Sequence, residues 1–263
     1  MLCVALRTGE RGMSAGDFDY ESHGQGYAVQ RRTDPRIAAQ VHAALGEGRS
    51  LINVGAGAGS YEPEDRYVVA VEPSAAMRAQ RPATRVPALN ATAEDLPFDD
   101  GAFDAALASI TVHQWKDRER GLRELRRVSR GPVVVMTFDG TALDLLWLGE
   151  YAPELFAVES PRYPDIDWIA ARVGGTVRVE TVAIPIDCVD GFTEAYYARP
   201  ERLLDPLVRK SQSAWGFVDD ADEVRAVERL RADLESGAWD ARFGHLRSQP
   251  EFLGSLRLII GLP

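Results

Sequence analysis

Between residues 51 and 60 the chain reads Leu-Ile-Asn-Val-Gly-Ala-Gly-Ala-Gly-Ser. A short apolar run of strand length leads straight into three glycines at alternate positions, Gly55, Gly57 and Gly59. Without side chains the backbone can turn tightly there and a ligand can approach the main chain. A strand delivering the chain into such a loop is what an α/β fold with its site at the carboxyl edge of the sheet would show, although the loop alone is a weak signal. By itself the loop fits several cofactors. A dinucleotide fingerprint needs G-x-G-x-x-G, and Ser60 stands where its last glycine would be.

The text around the loop has the same architecture. Asp34-Pro35 reads as a helix cap followed by proline at the first helical position. Ile37, Val41 and Leu45 then recur every four residues, and Gly46 closes the helix. Strand-length apolar runs lie at Leu51–Val54, Tyr67–Val71, Arg85–Leu89, Phe103–Ile110 and Val133–Phe138, with helical text at Ser74–Gln80 and Arg118–Val128. This alternation predicts a Rossmann-like, seven-stranded, mostly parallel sheet with helices on both faces. Farther on, Ala142–Leu148 and Ile166–Val173 read as helices, and Val177–Ile186 and Ser255–Leu262 as strands. Helical text from Thr193 to Gly237, interrupted by Pro200 and Pro206, separates those last two strands. The expected division is a flap over 1–33, partly disordered, a sheet domain over 34–190 and 250–263, and a helical substrate cap over 191–249.

Two more motifs fall on the carboxyl edge. The second strand ends Val-Ala-Val-Glu-Pro-Ser, so Glu72 follows the glycine loop where a carboxylate can accept both hydrogen bonds of a ribose diol. Ser74 is positioned to cap the next helix, which puts Met77 in the first turn facing the site, against an adenine or in the core. The third motif is Ala93-Glu-Asp-Leu-Pro-Phe-Asp-Asp-Gly-Ala-Phe-Asp104.

Together these residues, from about Asp34 to Phe138, resemble the class I S-adenosylmethionine-dependent methyltransferases, in the type 11 branch that carries A-E-x-L-P-F-x-D-x-x-F-D. The resemblance includes Val71-Glu-Pro-Ser-Ala-Ala-Met77 and the Arg123-Glu-Leu-Arg-Arg-Val128 helix before a valine-rich strand. It implies S-adenosylmethionine as cofactor. Gly55, Ala56 and Gly57 would line its methionine part, Glu72 with Pro73 its ribose, and Met77, Ala93 and Glu94 its adenine. Ser109 would lie near the sulfonium. Tyr27 and Arg32 would reach the cofactor from the N-terminal flap. Asn53 stands where the family usually has an acid near the cofactor's ammonium. The family's helix after the glycine loop must be shortened or replaced, because only Ser60–Arg66 separates the loop from the next strand and Pro63 lies within it.

His113, just beyond the fourth strand, is the candidate general base, with a packed loop histidine as the alternative. Trp115 and the aromatics of the inserted segment, Tyr196, Tyr197 and Trp215, are expected to wall the acceptor pocket or to serve the lid's own core. The expected activity is methyl transfer to an O, N or C atom of a small organic metabolite. A tRNA- or quinone-type methyltransferase, a non-catalytic cofactor-binding protein and an NAD(P)-dependent oxidoreductase are the alternatives.

Composition bounds the partners. With 30 Lys+Arg against 40 Asp+Glu, the net charge of −10 does not favour nucleic acid as acceptor. The arginine-rich stretch Arg118–Arg130 reads as a solvated helix face rather than a patch for phosphates. Four histidines and two cysteines are scattered with no metal-ligand spacing, so no metal is expected. Two cysteines and no membrane-length apolar run point to a cytoplasmic protein with no membrane partner, and a monomer or homodimer is expected without a sequence feature that chooses between them.

Overall fold

A computed structural model describes residues 31–263 of the chain. Tyr27 and all of the expected flap before Arg31 lie outside the described residues. The first element is helix α1 (Pro35–Leu45), where Asp34 caps by accepting from the Arg36 N–H at 2.9 Å. Burial opposes the charge of Asp34, but hydrogen bonds from Arg36 and the Val189 N–H outweigh it and hold the carboxyl at about 2.

Strands β1 (Ser50–Val54), β2 (Tyr67–Val71), β3 (Ala88–Leu89), β4 (Ala105–Ser109) and β5 (Val133–Phe138) follow in parallel. With β6 (Thr176–Thr181) and β9 (Leu256–Leu262) they make one seven-stranded sheet in the order β3-β2-β1-β4-β5-β9-β6. The last strand, β9, inserts antiparallel between β5 and β6. Side chains alternate across the sheet as a period of two requires. Leu51, Leu107, Val134 and Met136 pack on the face that α1 covers with Ile37, Val41 and Leu45. Ile52, Ala106, Val133 and Val135 pack on the opposite face, under Leu122, Leu125 and Val128 of helix α3 (Arg118–Val128) and Ile169 and Val173 of helix α5 (Ile166–Val173). A five-residue helix, α2 (Ala75–Ala79), follows β2.

Several expected elements are shorter, each for a local reason. Pro87 has no N–H for a ladder, so the strand expected from Arg85 is reduced to Ala88–Leu89. The long strand expected over Val177–Ile186 divides into β6 and β7 (Ile184–Pro185), which pairs with β8 (Glu251–Phe252) in a separate ribbon. Pro200 and Pro206 start turns of helix rather than interrupting one, which suits a residue that needs no N–H at the first position. The arginines of α3 hold loops: Arg126 donates to the Gly131 carbonyl and Arg127 to those of Leu96 and Phe98.

The layer over the carboxyl edge of the sheet draws on two stretches. One is α4 (Pro153–Glu159), an element the sequence pattern did not indicate, with the turns before it. The other comprises α6 (Pro206–Lys210), α7 (Asp220–Ser236), α8 (Ala238–Phe243) and short 3-10 turns between β7 and β8. Trp147 of the first and Trp239 of the second meet edge to face at 5.4 Å. Among the described residues no helix is long and apolar enough to cross a membrane.

Glu194 ties this layer to the sheet. It is 2% exposed and accepts from the Ser255 N–H at 2.8 Å, just ahead of β9. Burial, only partly offset by that bond, pushes its carboxyl up to about 7. The native state therefore holds a proton there that the unfolded chain releases near 4.5. Stability from this group is fully present at acid pH and falls between about 4.5 and 7, by up to about 3 kcal/mol. Glu194→Gln is expected to remove that part of the slope, so denaturant unfolding at pH 5 and pH 8 should show the variant gaining on the wild type at the higher pH. Parallel pH profiles for the two proteins would contradict it.

Candidate functional site

The carboxyl ends of β1, β2 and β4 and the loop after β3 open on a solvent-connected cleft of about 1070 Å³, counted to its open mouth. Asn53, Gly55, Ala56 and Gly57 form its floor, Glu72, Pro73 and Met77 one wall, and Ala93, Glu94 and Ser109 the others. Ten of the residues expected around a cofactor are thus gathered in one cleft. Gly55 has φ +70°, and a Cβ there would stand 2.0 Å from the Thr111 Oγ1, so only glycine fits between the loop and the segment after β4.

Glu72 is 7% exposed and its carboxylate is well prepared. Oε2 accepts from the Gly57 N–H at 2.9 Å and Oε1 from the Ser74 N–H at 2.8 Å. Burial raises its pKa, and those two N–H groups oppose the rise. Each oxygen keeps a lone pair for a ligand. Ser74 caps α2 through the Met77 N–H at 3.1 Å, which sets Met77 against the cleft. Glu94 lines the cleft, but its Oε1 is engaged by the backbone N–H groups of Lys116 and Asp117.

Beside this cleft lies a second cavity of about 640 Å³. Arg31 and Ile110 line both, so the two are neighbours across one seam. Phe138, Phe156, Tyr163 and Phe192 give the second cavity aromatic walls, and Glu159, Thr193, Glu194 and Gln212 give it polar points. His113 lines it as well, 4% exposed, its ring 4.8 Å from that of Tyr163. The Tyr163 hydroxyl donates to Glu159 at 2.6 Å. Burial, reinforced by Glu159, raises the phenol well above its ordinary pKa, so it stays a neutral donor. Gln212 is 5% exposed; Oε1 accepts from the Thr193 hydroxyl at 2.8 Å and Nε2 has no partner among the described residues.

Other expected site residues stand elsewhere. Arg32 is exposed. Its neighbour Arg31 is the arginine at the seam, held by Asp190 at 2.6 Å, and the Tyr61 hydroxyl donates to the same carboxylate at 2.7 Å. Trp115 lines the cofactor-type cleft rather than the second cavity, because the bare Gly121 of α3 lets its ring lie against that helix. Tyr196, Tyr197 and Trp215 line neither cavity; they are buried in the core of the covering layer. Tyr197 stacks on Phe252 at 5.1 Å and donates to the Gln249 carbonyl, which fixes it inward. The second cavity's walls come instead from β5, from α4 with the turn after it, and from Phe192. Of these only Phe138, at a strand end, carried a signal of position.

The chemistry of the first cleft fits S-adenosylmethionine. A carboxylate is ready for a ribose diol, a methionine side chain is placed for an adenine face, and a loop of glycines and alanines lines the same cleft. A buried acceptor atom, the Asn53 Oδ1, has no partner among the described residues.

Known proteins resemble the chain. The family pattern described as a methyltransferase domain matches residues 52–134. The demethylmenaquinone methyltransferase of Mycolicibacterium gilvum is 42% identical over 74 residues, 27% of this chain and 32% of that protein. The mitochondrial 2-methoxy-6-polyprenyl-1,4-benzoquinol methylase of Leishmania donovani is 32% identical over 123 residues, 38% of this chain and 43% of that protein. The matches therefore span less than half the length of these two relatives. A crystal structure of a putative methyltransferase from an antibiotic biosynthesis pathway of Anabaena variabilis superposes with a TM-score of 0.82 at 27% identity, covering 89% of this chain and 99% of that one.

Proposed function

From a chain that carries a class I S-adenosylmethionine-dependent methyltransferase domain, we propose that the protein transfers the cofactor's methyl group to a small organic acceptor held in the second cavity. The observation that carries this reading is the seam at Arg31 and Ile110, which puts an aromatic-walled cavity directly beside the cofactor cleft. The cofactor supplies an electrophilic methyl carbon on a sulfonium whose thioether is a good leaving group. The protein's share is alignment and exclusion of water. Glu72 holds the ribose, the backbone of Gly55–Gly57 supports the methionine part, and Arg31 stands where the two ligands meet. His113 takes a proton from the acceptor's attacking atom where that atom is protonated at rest, and the Tyr163 ring beside it fixes the imidazole's place.

His113→Ala is expected to lower turnover by about a hundredfold, with S-adenosylhomocysteine affinity changed by less than about threefold, since His113 does not line the cleft. Unchanged turnover with the natural acceptor would leave His113 a packing residue. Transfer of labelled methyl to a panel of phenols, amines, acids and quinols tests the activity itself. The absence of any labelled product, with cofactor bound, would favour a protein that binds S-adenosylmethionine without turnover.

A quinol acceptor is the second reading. It is supported by the relatives named for demethylmenaquinone and benzoquinol methylation and by a cavity with four aromatic walls, which suits a planar ring. A hydroxynaphthoquinol in the panel separates it from other small acceptors: carbon methylation of that compound supports it, and preference for an amine or a carboxylate removes it.

A further inference from the structure

No helix follows the glycine loop; residues 59–66 pass to β2 through turns. A buried ion pair occupies that region. The Glu62 and Arg81 side chains are 2% and 3% exposed, and the Arg81 Nη2 lies 2.9 Å from both carboxylate oxygens. The Arg81 Nη1 also donates to the Gly57 carbonyl at 3.2 Å, and Arg85 donates to the Glu62 carbonyl at 2.8 Å. The pair thus braces the glycine loop from below.

Glu62 makes one more bond. Its Oε1 accepts from the Asn53 Nδ2 at 3.0 Å. Asn53 is 1% exposed, ends in the floor of the cofactor cleft, and keeps its Oδ1 without a partner among the described residues. Because a carboxylate only accepts, the amide must turn its nitrogen to Glu62. The oxygen is then the atom left for a ligand.

Strand order says which part of the ligand it meets. Glu72 on β2 and Ala93 beyond β3 claim the side of the sheet nearest its edge, where the adenosine would lie. Asn53 is on β1, one strand farther from that edge and between β2 and β4, with Ser60, Tyr61 and Arg31 on the same cleft. That leaves it the amino-acid end of the cofactor, whose ammonium is the donor such an oxygen lacks. We propose that Glu62 is a positioning residue: with its charge balanced by Arg81, it locks the Asn53 amide so that a neutral carbonyl oxygen receives the cofactor's ammonium. This rests on the proposed cofactor site. It carries a consequence specific to this chain. An aspartate at 53 would face Glu62 at about the same 3.0 Å, and two carboxylates at that distance repel. The acid must therefore sit at 62 or at 53, and not at both.

The test is a double-variant cycle read by calorimetry and thermal unfolding. The ligands are S-adenosylhomocysteine and its deaminated analogue, which keeps the carboxylate and lacks the ammonium. The wild type is expected to favour the parent compound by about tenfold or more. Glu62→Gln should lose most of that preference while still binding the analogue. Asn53→Asp alone should bind the parent about tenfold more weakly than the wild type and unfold at a lower temperature, although it adds a negative charge. Asn53→Asp with Glu62→Gln should recover affinity and preference relative to Asn53→Asp alone, and should melt no lower than Glu62→Gln alone, since both lack the carboxylate that pairs with Arg81.

Should Asn53→Asp fail to fold, the double variant must fold whenever Glu62→Gln alone does; a double variant that fails while Glu62→Gln folds overturns the proposal. Tighter binding by Asn53→Asp alone, or a double variant no better than it, overturns it as well. Equal wild-type affinity for the two ligands overturns the ammonium assignment and leaves the cofactor site standing. No binding of either ligand by folded wild-type protein removes the cofactor site itself, and this inference with it.

Discussion

Glu72→Ala is expected to weaken binding of S-adenosylmethionine by about 10²–10⁴-fold. The figure follows from two ribose hydroxyls bonded to one charged group, at about 1.5–3 kcal/mol each. Truncation also removes the acceptors that the Gly57 and Ser74 N–H groups now use, so the loop over which the cofactor lies loses its inner support. Folding stability should fall too, by about 1–3 kcal/mol for each N–H left without its acceptor and offset in part by relief of the carboxylate's burial, so binding is read on protein shown to be folded. Glu72→Gln sharpens the reading. An amide keeps the shape but offers one accepting oxygen, and its NH₂ would face a backbone N–H, so this variant should bind almost as poorly as alanine. Since burial raises the Glu72 pKa and the diol needs the ionised form, wild-type affinity should rise as pH increases through that pKa. Calorimetry on the three proteins checks all of this. Wild-type affinity in folded Glu72→Ala would contradict the ribose assignment.

Gly55→Ala should be the most damaging small substitution in the loop, costing about 2–4 kcal/mol of stability and most of the cofactor affinity. Two separate costs add. The backbone at φ +70° is strained for any residue with a Cβ, and the new methyl would stand 2.0 Å from the Thr111 Oγ1 and 2.8 Å from its Cβ and Cγ2. Relief of the second cost must move the segment that carries Ile110 and His113, and with it the seam between the cavities. Thr111→Gly in the same chain removes the steric part and leaves the strain. Denaturant unfolding of the double variant should therefore recover part of the loss relative to the two single variants. Full additivity would mean that the two residues do not meet.

Elements whose side chains obey one strong periodicity were readable from the chain alone. The helix with Ile37, Val41 and Leu45 is one, and the valine-rich β5 is another; their boundaries agree with the sequence reading. That the residues expected around a cofactor share one cleft was readable for a similar reason. Its residues lie at strand ends, within a few positions of glycines or of a capping serine, so local sequence fixes where they point.

The second cavity, proposed above for the acceptor, was not readable in this way. Tyr163, Phe192 and Gln212 come from short 3-10 turns and connections, where no repeat marks an inward face. Tyr196, Tyr197 and Trp215 looked like pocket walls because they are aromatic, yet a covering layer built from short turns needs large side chains to bury its own backbone. Arg32 and Arg31 are adjacent, and the choice between them depends on Asp190, which is 159 positions beyond Arg31. The same holds for Glu62. Its meaning appears only when Asn53 and Arg81 close on it in space.

The central claim is that the edge between β1 and β3 is a site for S-adenosylmethionine next to a cavity for its methyl acceptor. Titration of the folded wild-type protein with S-adenosylhomocysteine in a calorimeter tests it most directly. The account predicts saturable heat at one ligand per chain, weakened by about 10²–10⁴-fold in Glu72→Ala and retained in His113→Ala. No saturable heat from a protein shown to be folded, or binding that survives Glu72→Ala unchanged, would contradict it.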